Sequence, residues 1–351
     1  MTPATSEVAH GVRIVADATP GRWDDYVERC PNANGYHLYA WRTVIERAFG
    51  HPTRYLAAEN DGRLVGILPL VLFRSRLFGR FAVSMPFLNY GGVAADDDAV
   101  VQSLVQAAVE EARHAGARSV ELRHTRRLCP DLHPKQHKVA MRLALGETGE
   151  AQWNALDRKV RNQVRKADKS NLTVERGGAP LVEDFYAVFA RNMRDLGTPV
   201  YSRRFFDEIL RAFPGRTKIL CVRHGGRAVA ASFVFRHRDT MEVPWASSLR
   251  EFNHLSPNVR LYWEMLQLAI EEGCRTFDFG RSTPDEGTYH FKKQWGAEPV
   301  PLVWEYWTAA GTHVPDLSPR NAKYAAAISL WQRLPLCLTR AIGPHIVRNI
   351  P

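Results

Sequence analysis

Residues 54–68 read RYLAAENDGRLVGIL, and residues 218–232 read KILCVRHGGRAVAAS. Each is an apolar strand, a tight turn, then Gly-Arg and a second apolar strand. Asp61-Gly62 and Gly225-Gly226 are dipeptides that two-residue hairpins favour, because the turn needs positive φ. The likeness recurs downstream. Residues 99–122 run from a helical stretch into AGARSVEL, and residues 258–279 run from a helical stretch into EGCRTFDF. Gly116 and Gly273 stand where a helix C-terminus takes a left-handed residue. The offset is 164 residues at the hairpins and 157 at the helix ends, so the copies differ by a short insertion. Two matches in the same order indicate duplication. The expected fold class is therefore α/β, layered as α+β. Two tandem lobes, 10–146 and 147–310, each hold a mixed, mostly antiparallel sheet flanked by helices, and a tail follows over 311–351.

The bulk properties agree. A chain of 351 residues is long enough for two such domains. Apolar residues at 45% and charged residues at 24% place it among globular proteins. Met1–His10 contains no apolar run, so no secretory leader is expected. No stretch approaches the roughly 18 apolar residues of a membrane span. The expectation is a soluble, cytoplasmic protein, taken as a monomer. A net charge of +10 favours an anionic partner without selecting one. Cys30, Cys129, Cys221, Cys274 and Cys337 are scattered singly, without metal-ligand or redox spacing. His133 and His137 are four apart, but Pro134 argues against a helical metal pair, so no metal site is expected.

Between the lobes, Ala151 to Ala167 reads as one amphipathic helix. Trp153, Leu156, Val160, Val164 and Ala167 form its apolar stripe. Arg158, Arg161 and Arg165 lie opposite, either as a solvated face or as an anion-binding one. Helices follow near Leu181–Leu196 and Ser202–Ala212, and a short one in the tail near Tyr324–Arg333.

The densest chemistry is FDFGRSTPDEGTYHFKKQWG, residues 277–296. A strand ends at Phe279, a polar loop follows, and a short helix begins near Thr288. Ligands gather at such strand ends in α/β folds. The segment offers Asp278, Arg281, Ser282, Thr283, Tyr289, Lys292 and Lys293. At about 100° per residue, Phe291 and Trp295 share one helix face. Lys293 falls opposite that face and points to solvent. Lys292 lies at its edge, where it either reaches a cleft or snorkels over apolar surface. A second cluster, EVPWASS (242–248), offers Trp245, Ser247 and Ser248 as a pocket wall, with Trp245 equally readable as core. Asn258 opens the next helix, which carries Tyr262, as a cap or a ligand contact. In the first lobe, MPFLNYGG (85–92) offers Asn89 and Tyr90. Asp278-Phe279-Gly280 spells the kinase tripeptide, but no Gly-rich phosphate loop or HRD-type loop accompanies it. No P-loop, dinucleotide fingerprint or nucleophile elbow is present.

The order strand–hairpin–strand, helix, strand, short helix ending Trp295-Gly296, and a last strand Val300–Trp307 resembles a GNAT-type acyltransferase lobe. Two in tandem resemble the FemAB family of aminoacyl-transferases. The closest likeness is to FemAB-like proteins found with exosortase (PEP-CTERM) and exopolysaccharide systems. It covers nearly the whole chain, through FARNMRDLGTPVYSRRFF (189–206), PWASSLREFNHLSPNVRLYW (244–263), DFGRSTPDEGTYHFKKQWGAEP (278–299) and LWQRLPLCLTRAIGPHIVRN (330–349).

The resemblance implies transfer of an amino acid from aminoacyl-tRNA to an amine of a peptidoglycan precursor, with a lysine in a late Phe-Lys segment, here Phe291-Lys292. An amine attacks an ester carbonyl and a nearby cation stabilises the oxyanion. Asp278 is the candidate base or orienter. Two features leave the donor open. No sustained heptad pattern supplies the coiled-coil arm of many tRNA-using members. The place of the CoA signature, Gln/Arg-x-x-Gly-x-Gly/Ala, reads Leu249 to Asn258 without it. The leading expectation is thus an acyl- or aminoacyl-transferase acting on a small-molecule or lipid-linked cell-envelope precursor, peptidoglycan or exopolysaccharide. It needs no bound cofactor, its donor is aminoacyl-tRNA or acyl-CoA, and no DNA partner is expected. The alternatives are a CoA-dependent N-acyltransferase on exopolysaccharide amino sugars, and a non-catalytic module binding an anionic precursor or membrane face.

Overall fold

Both hairpins form as two-residue turns. In the first, Asp61 (φ 48°) and Gly62 (φ 75°) join β3 (Thr53–Asn60) to β4 (Arg63–Ser75); in the second, Gly225 (φ 56°) and Gly226 (φ 80°) join β10 (Thr217–His224) to β11 (Arg227–His237). The computed structural model describes residues 7–8, 11–16, 18–75, 78–312 and 322–351. Most of Met1–His10, read above for a leader, therefore lies outside the described residues, as does 313–321 of the tail. The chain divides into two units. One comprises residues up to Lys138 together with Pro301–Asp316; the other comprises Val139–Val300 and Leu317–Ile350.

In the first unit the strands are β1 (Glu7–Val8), β2 (Val12–Val15), β3 (Thr53–Asn60), β4 (Arg63–Ser75), β5 (Gly79–Val83), β6 (Ala94–Ala95) and β7 (Ser119–His124), with most of β14 (Glu298–Thr308). Their order is β1-β2-β3-β4-β5-β7-β14, with β6 on β4. β5 and β7 run parallel and the other neighbours antiparallel. Helices α1 (Pro20–Arg29), α2 (Trp41–Phe49) and α3 (Asp98–His114) accompany the sheet. Val101, Leu104, Val105 and Ala108 of α3 pack on Leu56, Leu68 and Leu70. Gly66 permits that approach, since a Cβ there would lie 2.6 Å from Val100.

The second unit holds β9 (Leu172–Gly177), β10 (Thr217–His224), β11 (Arg227–His237), β12 (Thr240–Ser248) and β13 (Thr276–Ser282), with the Val139–Ala144 part of β8 (His133–Ala144). The order is β9-β10-β11-β12-β13-β8, again with one parallel pair, β12–β13. The repeat read in the sequence is thus a repeat of topology. Its helices are α4 (Gly149–Ala155), α5 (Arg158–Asp168), α6 (Val182–Asp195), α7 (Arg203–Ala212), α8 (Pro257–Glu271), α9 (Gly287–Lys293), α10 (Ala322–Arg333) and α11 (Leu336–Val347). Helices α3 and α8 end alike, at left-handed Gly116 (φ 69°) and Gly273 (φ 74°). In each, the next N–H turns back onto the last turn, from Ala117 to Ala112 O and from Cys274 to Ala269 O. One face of the second sheet packs on α8 and α5 through Leu261, Met265, Val160 and Val164. Its other face meets an aromatic cluster of Phe185, Phe189, Phe205 and Phe206.

Three details differ from the sequence reading. The units do not divide at 146/147, because Val139–Ala144 pairs with β13 and Val303–Thr308 pairs with β7. The helix read over 151–167 is two helices. Leu156 is extended (ψ 144°), and Asp157 restarts the chain by accepting the Lys159 N–H at 2.6 Å. The stripe still buries Leu156, Val160, Val164 and Ala167, which is why it reads as continuous. Beyond the tail helix lies a second one, α11, disguised by an internal Pro344.

Candidate functional site

β13 sits between β12, parallel, and β8, antiparallel. Asp278 pairs with Arg142, but the next pair is Arg281 with Ala140. Two residues, Phe279 and Gly280, therefore oppose Met141 alone, a β-bulge with Gly280 at φ 72°. The bulge turns two backbone carbonyls toward α9. Phe277 and Phe279 point into the core beneath α8, so Asp278 between them faces the other way.

Asp278 is fully buried (0% exposed). Its Oδ1 accepts the Gly280 N–H at 2.8 Å, and its Oδ2 accepts the Arg142 Nε–H at 3.0 Å. Buried Glu242 stands beside it in register on β12. Helix α9 is anchored by Phe291 and Trp295, whose rings lie 5.0 and 6.2 Å from that of Tyr262 on α8. This anchoring directs Lys292 to the bulge. Lys292 is 7% exposed, and its Nζ donates to Gly280 O at 3.1 Å and to Arg281 O at 3.0 Å. Burial pushes its ammonium down to about 8, against the opposing pull of Asp278 and Glu242. An ammonium has three N–H donors, and two of these go to the bulge carbonyls. Lys293 is exposed. The helix arithmetic separates the two lysines as the structure does.

The remaining candidates are dispersed. Arg281 is half-buried and Ser282 is buried, its Oγ without a hydrogen-bond partner. Tyr289 is half-buried against the core of this unit. Tyr262 is buried and stacks on Phe279 at 5.5 Å, and burial pushes its hydroxyl far above the ordinary range. Asn258 is half-buried in the first turn of α8. Trp245 packs with Phe205, Phe206 and Phe233 at 5.1–5.7 Å. It is a core residue of the aromatic cluster, so the pocket-wall reading gives way to the core one. Buried Ser247 accepts a hydrogen bond from Asn192 on α6 at 3.1 Å, while Ser248 is half-buried. Arg158 and Arg165 are exposed and Arg161 half-buried on α5, where Arg165 covers the Trp153 ring at 5.5 Å. A shallow open depression of about 560 Å³ there is lined by Asp157, Arg158, Lys159, Asn162, Gln163 and Lys166.

Asn89 and Tyr90 belong to the first unit, where Tyr90 packs on Tyr36 at 5.4 Å. That unit also holds a buried polar network absent from the sequence reading. His124 Nδ1 lies 2.7 Å from Glu305, whose carboxylate also accepts the N–H groups of Leu128 and Cys129. Burial alone would raise Glu305, yet these hydrogen bonds hold it below its ordinary value. The charged run Glu121–His124 inside a strand was its signal. In the second unit Arg142 is likewise absent from the sequence expectations, a lone cation in the apolar stretch Val139–Ala144.

The thiols of Cys30, Cys129, Cys221 and Cys274 are buried and form no disulfide, and burial pushes Cys129 and Cys221 up to about 12. Cys337 is exposed. Among the described residues no cluster of His, Cys, Asp or Glu is placed to hold a metal, and no helix is long and apolar enough to cross a membrane.

Residues 155–293 match the family described as acetyltransferase (GNAT) domain. No curated protein matches the chain. Several solved structures do. The crystal structure of FemX superposes with a TM-score of 0.64 at 16% identity, over 83% of this chain and 96% of that one. L-PGS from Bacillus licheniformis gives 0.56 at 13% identity, over 93% and 97%. A tandem GNAT protein from the clavulanic acid biosynthesis pathway gives 0.56 at 12% identity, over 86% and 100%. At these identities the likeness establishes the fold alone: a mixed α/β architecture shared with FemX and a tandem GNAT protein, within which 155–293 match the acetyltransferase domain.

Proposed function

We propose that the chain is an acyl- or aminoacyl-transferase that forms an amide on an amine of a cell-envelope precursor. The observation that carries this is Lys292, a buried ammonium fixed by the two bulge carbonyls. It lies within the segment that matches the acetyltransferase domain. The acceptor amine attacks the carbonyl carbon of the activated donor, and the C=O electrons move onto oxygen. The third N–H of Lys292 donates to that oxyanion in a site from which water is largely excluded. Collapse of the adduct expels the donor's alkoxide or thiolate, which takes the proton lost by the amine. Asp278, with one oxygen held by Gly280 and the other by Arg142, orients the bulge rather than accepting that proton.

An aminoacyl ester is the leading donor, supported by the FemX-like architecture and by the exposed cations of α5. An acyl-CoA thioester acting on an amino sugar is the second reading, favoured by the acetyltransferase match over 155–293. Lys292→Ala should lower transfer by roughly 10²-fold or more, the scale of a lost oxyanion donor. Single-turnover transfer of a labelled aminoacyl or acyl group to envelope-precursor amines is the measurement. Undiminished turnover in that variant would sink the assignment. Calorimetric titration with acyl-CoA separates the donors, since heat with CoA favours the second reading.

A further inference from the structure

Outside the candidate site, one surface stands apart. Four large hydrophobic side chains are exposed among the described residues: Leu196 (50%), Leu330 (64%), Leu338 (45%) and Ile342 (44%). All belong to three adjoining elements, the end of α6 and helices α10 and α11. The helix pair is docked rather than loose. Gly197 admits Ile328 of α10 at a distance no side chain would allow. Gly343 of α11 abuts Val200, where a Cβ would lie 2.9 Å from its nitrogen. Thr339, Gly343 and Val347 form the buried stripe of α11, and Leu338 and Ile342 form the neighbouring stripe that faces water.

The tail that carries α10 and α11 has charge of one sign, while the acidic groups at its border with α6 are paired, Asp195 with Arg191 and Arg194 and Glu183 with Arg340. From Leu317 to Pro351 there is no Asp or Glu, against five Arg or Lys. Arg333 is exposed beside Leu330, and Arg348 follows α11. Arg340 leans back onto α6, 3.5 Å from Glu183 and 5.1 Å above the Tyr186 ring. Each helix has twelve residues, about 18 Å of length, short of the roughly 30 Å a span requires. Exposed aliphatic side chains among arginines, on short helices, match an element that lies in a membrane interface. A second copy of the chain would bring two surfaces of like charge together. A single-stranded polyanion would call for exposed rings to stack on rather than aliphatic tips.

We propose that α10, α11 and the end of α6 form a docking surface for an anionic lipid bilayer, with Leu330, Leu338 and Ile342 entering the acyl boundary and the arginines meeting acidic headgroups. The proposal does not depend on the transferase reading, since binding is measured without turnover. The test is flotation of the full chain with vesicles of phosphatidylcholine alone, or with about 30 mol% phosphatidylglycerol. The chain should float with the anionic vesicles at least ~10-fold better than with neutral ones. The triple variant Leu330→Asp, Leu338→Asp, Ile342→Asp should lose that binding ~10-fold or more while unfolding at the wild-type temperature, because the three side chains are exposed. The paired variant Arg158→Glu, Arg165→Glu on α5 should still bind. Flotation unchanged in the triple variant overturns the proposal, as does loss confined to the α5 variant or no flotation by the wild type. A concentration-dependent dimer, or binding to labelled RNA, that the triple variant abolishes in the absence of vesicle binding would reassign the surface and overturn it equally.

Discussion

Lys292 carries a consequence that can be measured without knowing its substrate. Burial holds its ammonium down to about 8, against an ordinary value near 10.5. Between those values the unfolded chain binds the proton and the folded chain does not, so stability rises with pH across that window. Below about 8 the folded protein carries the full penalty of a buried charge. At about 1.4 kcal/mol per unit, the difference approaches roughly 3 kcal/mol. Urea unfolding of wild type and Lys292→Met at neutral pH and near pH 10.5 should show the balance moving toward wild type by that order. A gap that stays constant between the two would place the lysine in water. Transfer should respond with the opposite sign, falling as pH passes about 8 because the charged donor is lost. Lys292→Arg should move that fall upward, since guanidinium keeps its proton. Lysine 292 was legible because Phe291 and Trp295 set the helix face within five residues. Its neighbour across the strand was not. Arg142 and Asp278 are 136 positions apart, and no local pattern joins them.

At the scale of an element, the bulge in β13 is what aims the carbonyls that hold Lys292. Gly280 at φ 72° has a conformation that a Cβ disfavours by about 1–2 kcal/mol. Gly280→Ala should lower the free energy of unfolding by that amount, read from urea denaturation. It should also reduce transfer more than stability alone explains, because the carbonyls move. Equal losses from a control substitution of matched destabilisation elsewhere would deny the bulge its positioning role. The strand through Phe-Asp-Phe-Gly announced itself by alternation, but it runs on to Ser282 rather than ending at Phe279, because the bulge restores its register with β8, which the sequence does not reveal. The hairpins were legible for the converse reason: the whole requirement, positive φ at two positions, is written into Asp61-Gly62 and Gly225-Gly226. The α4–α5 break was hidden by the continuous apolar stripe. Its one sign was Asp157, a residue that caps better than it continues.

For the whole molecule, duplication was readable and the division between units was not. The repeat aligns hairpin with hairpin and helix with helix, yet each sheet closes with a strand from beyond its own repeat. Val139–Ala144 completes the second sheet, and β14 completes the first. Fragment 1–146, the apparent first lobe, keeps β5 but lacks β14, the antiparallel partner of β7, and should show no cooperative unfolding. A rearranged chain that supplies 298–312 to the same fragment through a short linker should regain it, as followed by thermal circular dichroism. Cooperative melting of 1–146 alone would show that the closing strand is dispensable. The arrangement also governs how the protein is born. His124 on β7 meets Glu305 on β14 across 181 residues. At the ribosome's 5–20 residues per second, the first sheet waits roughly 10–40 s for its last strand. During that interval a nascent β7 presents an open edge, and a chaperone shielding it would act on the half of the protein made first and finished last.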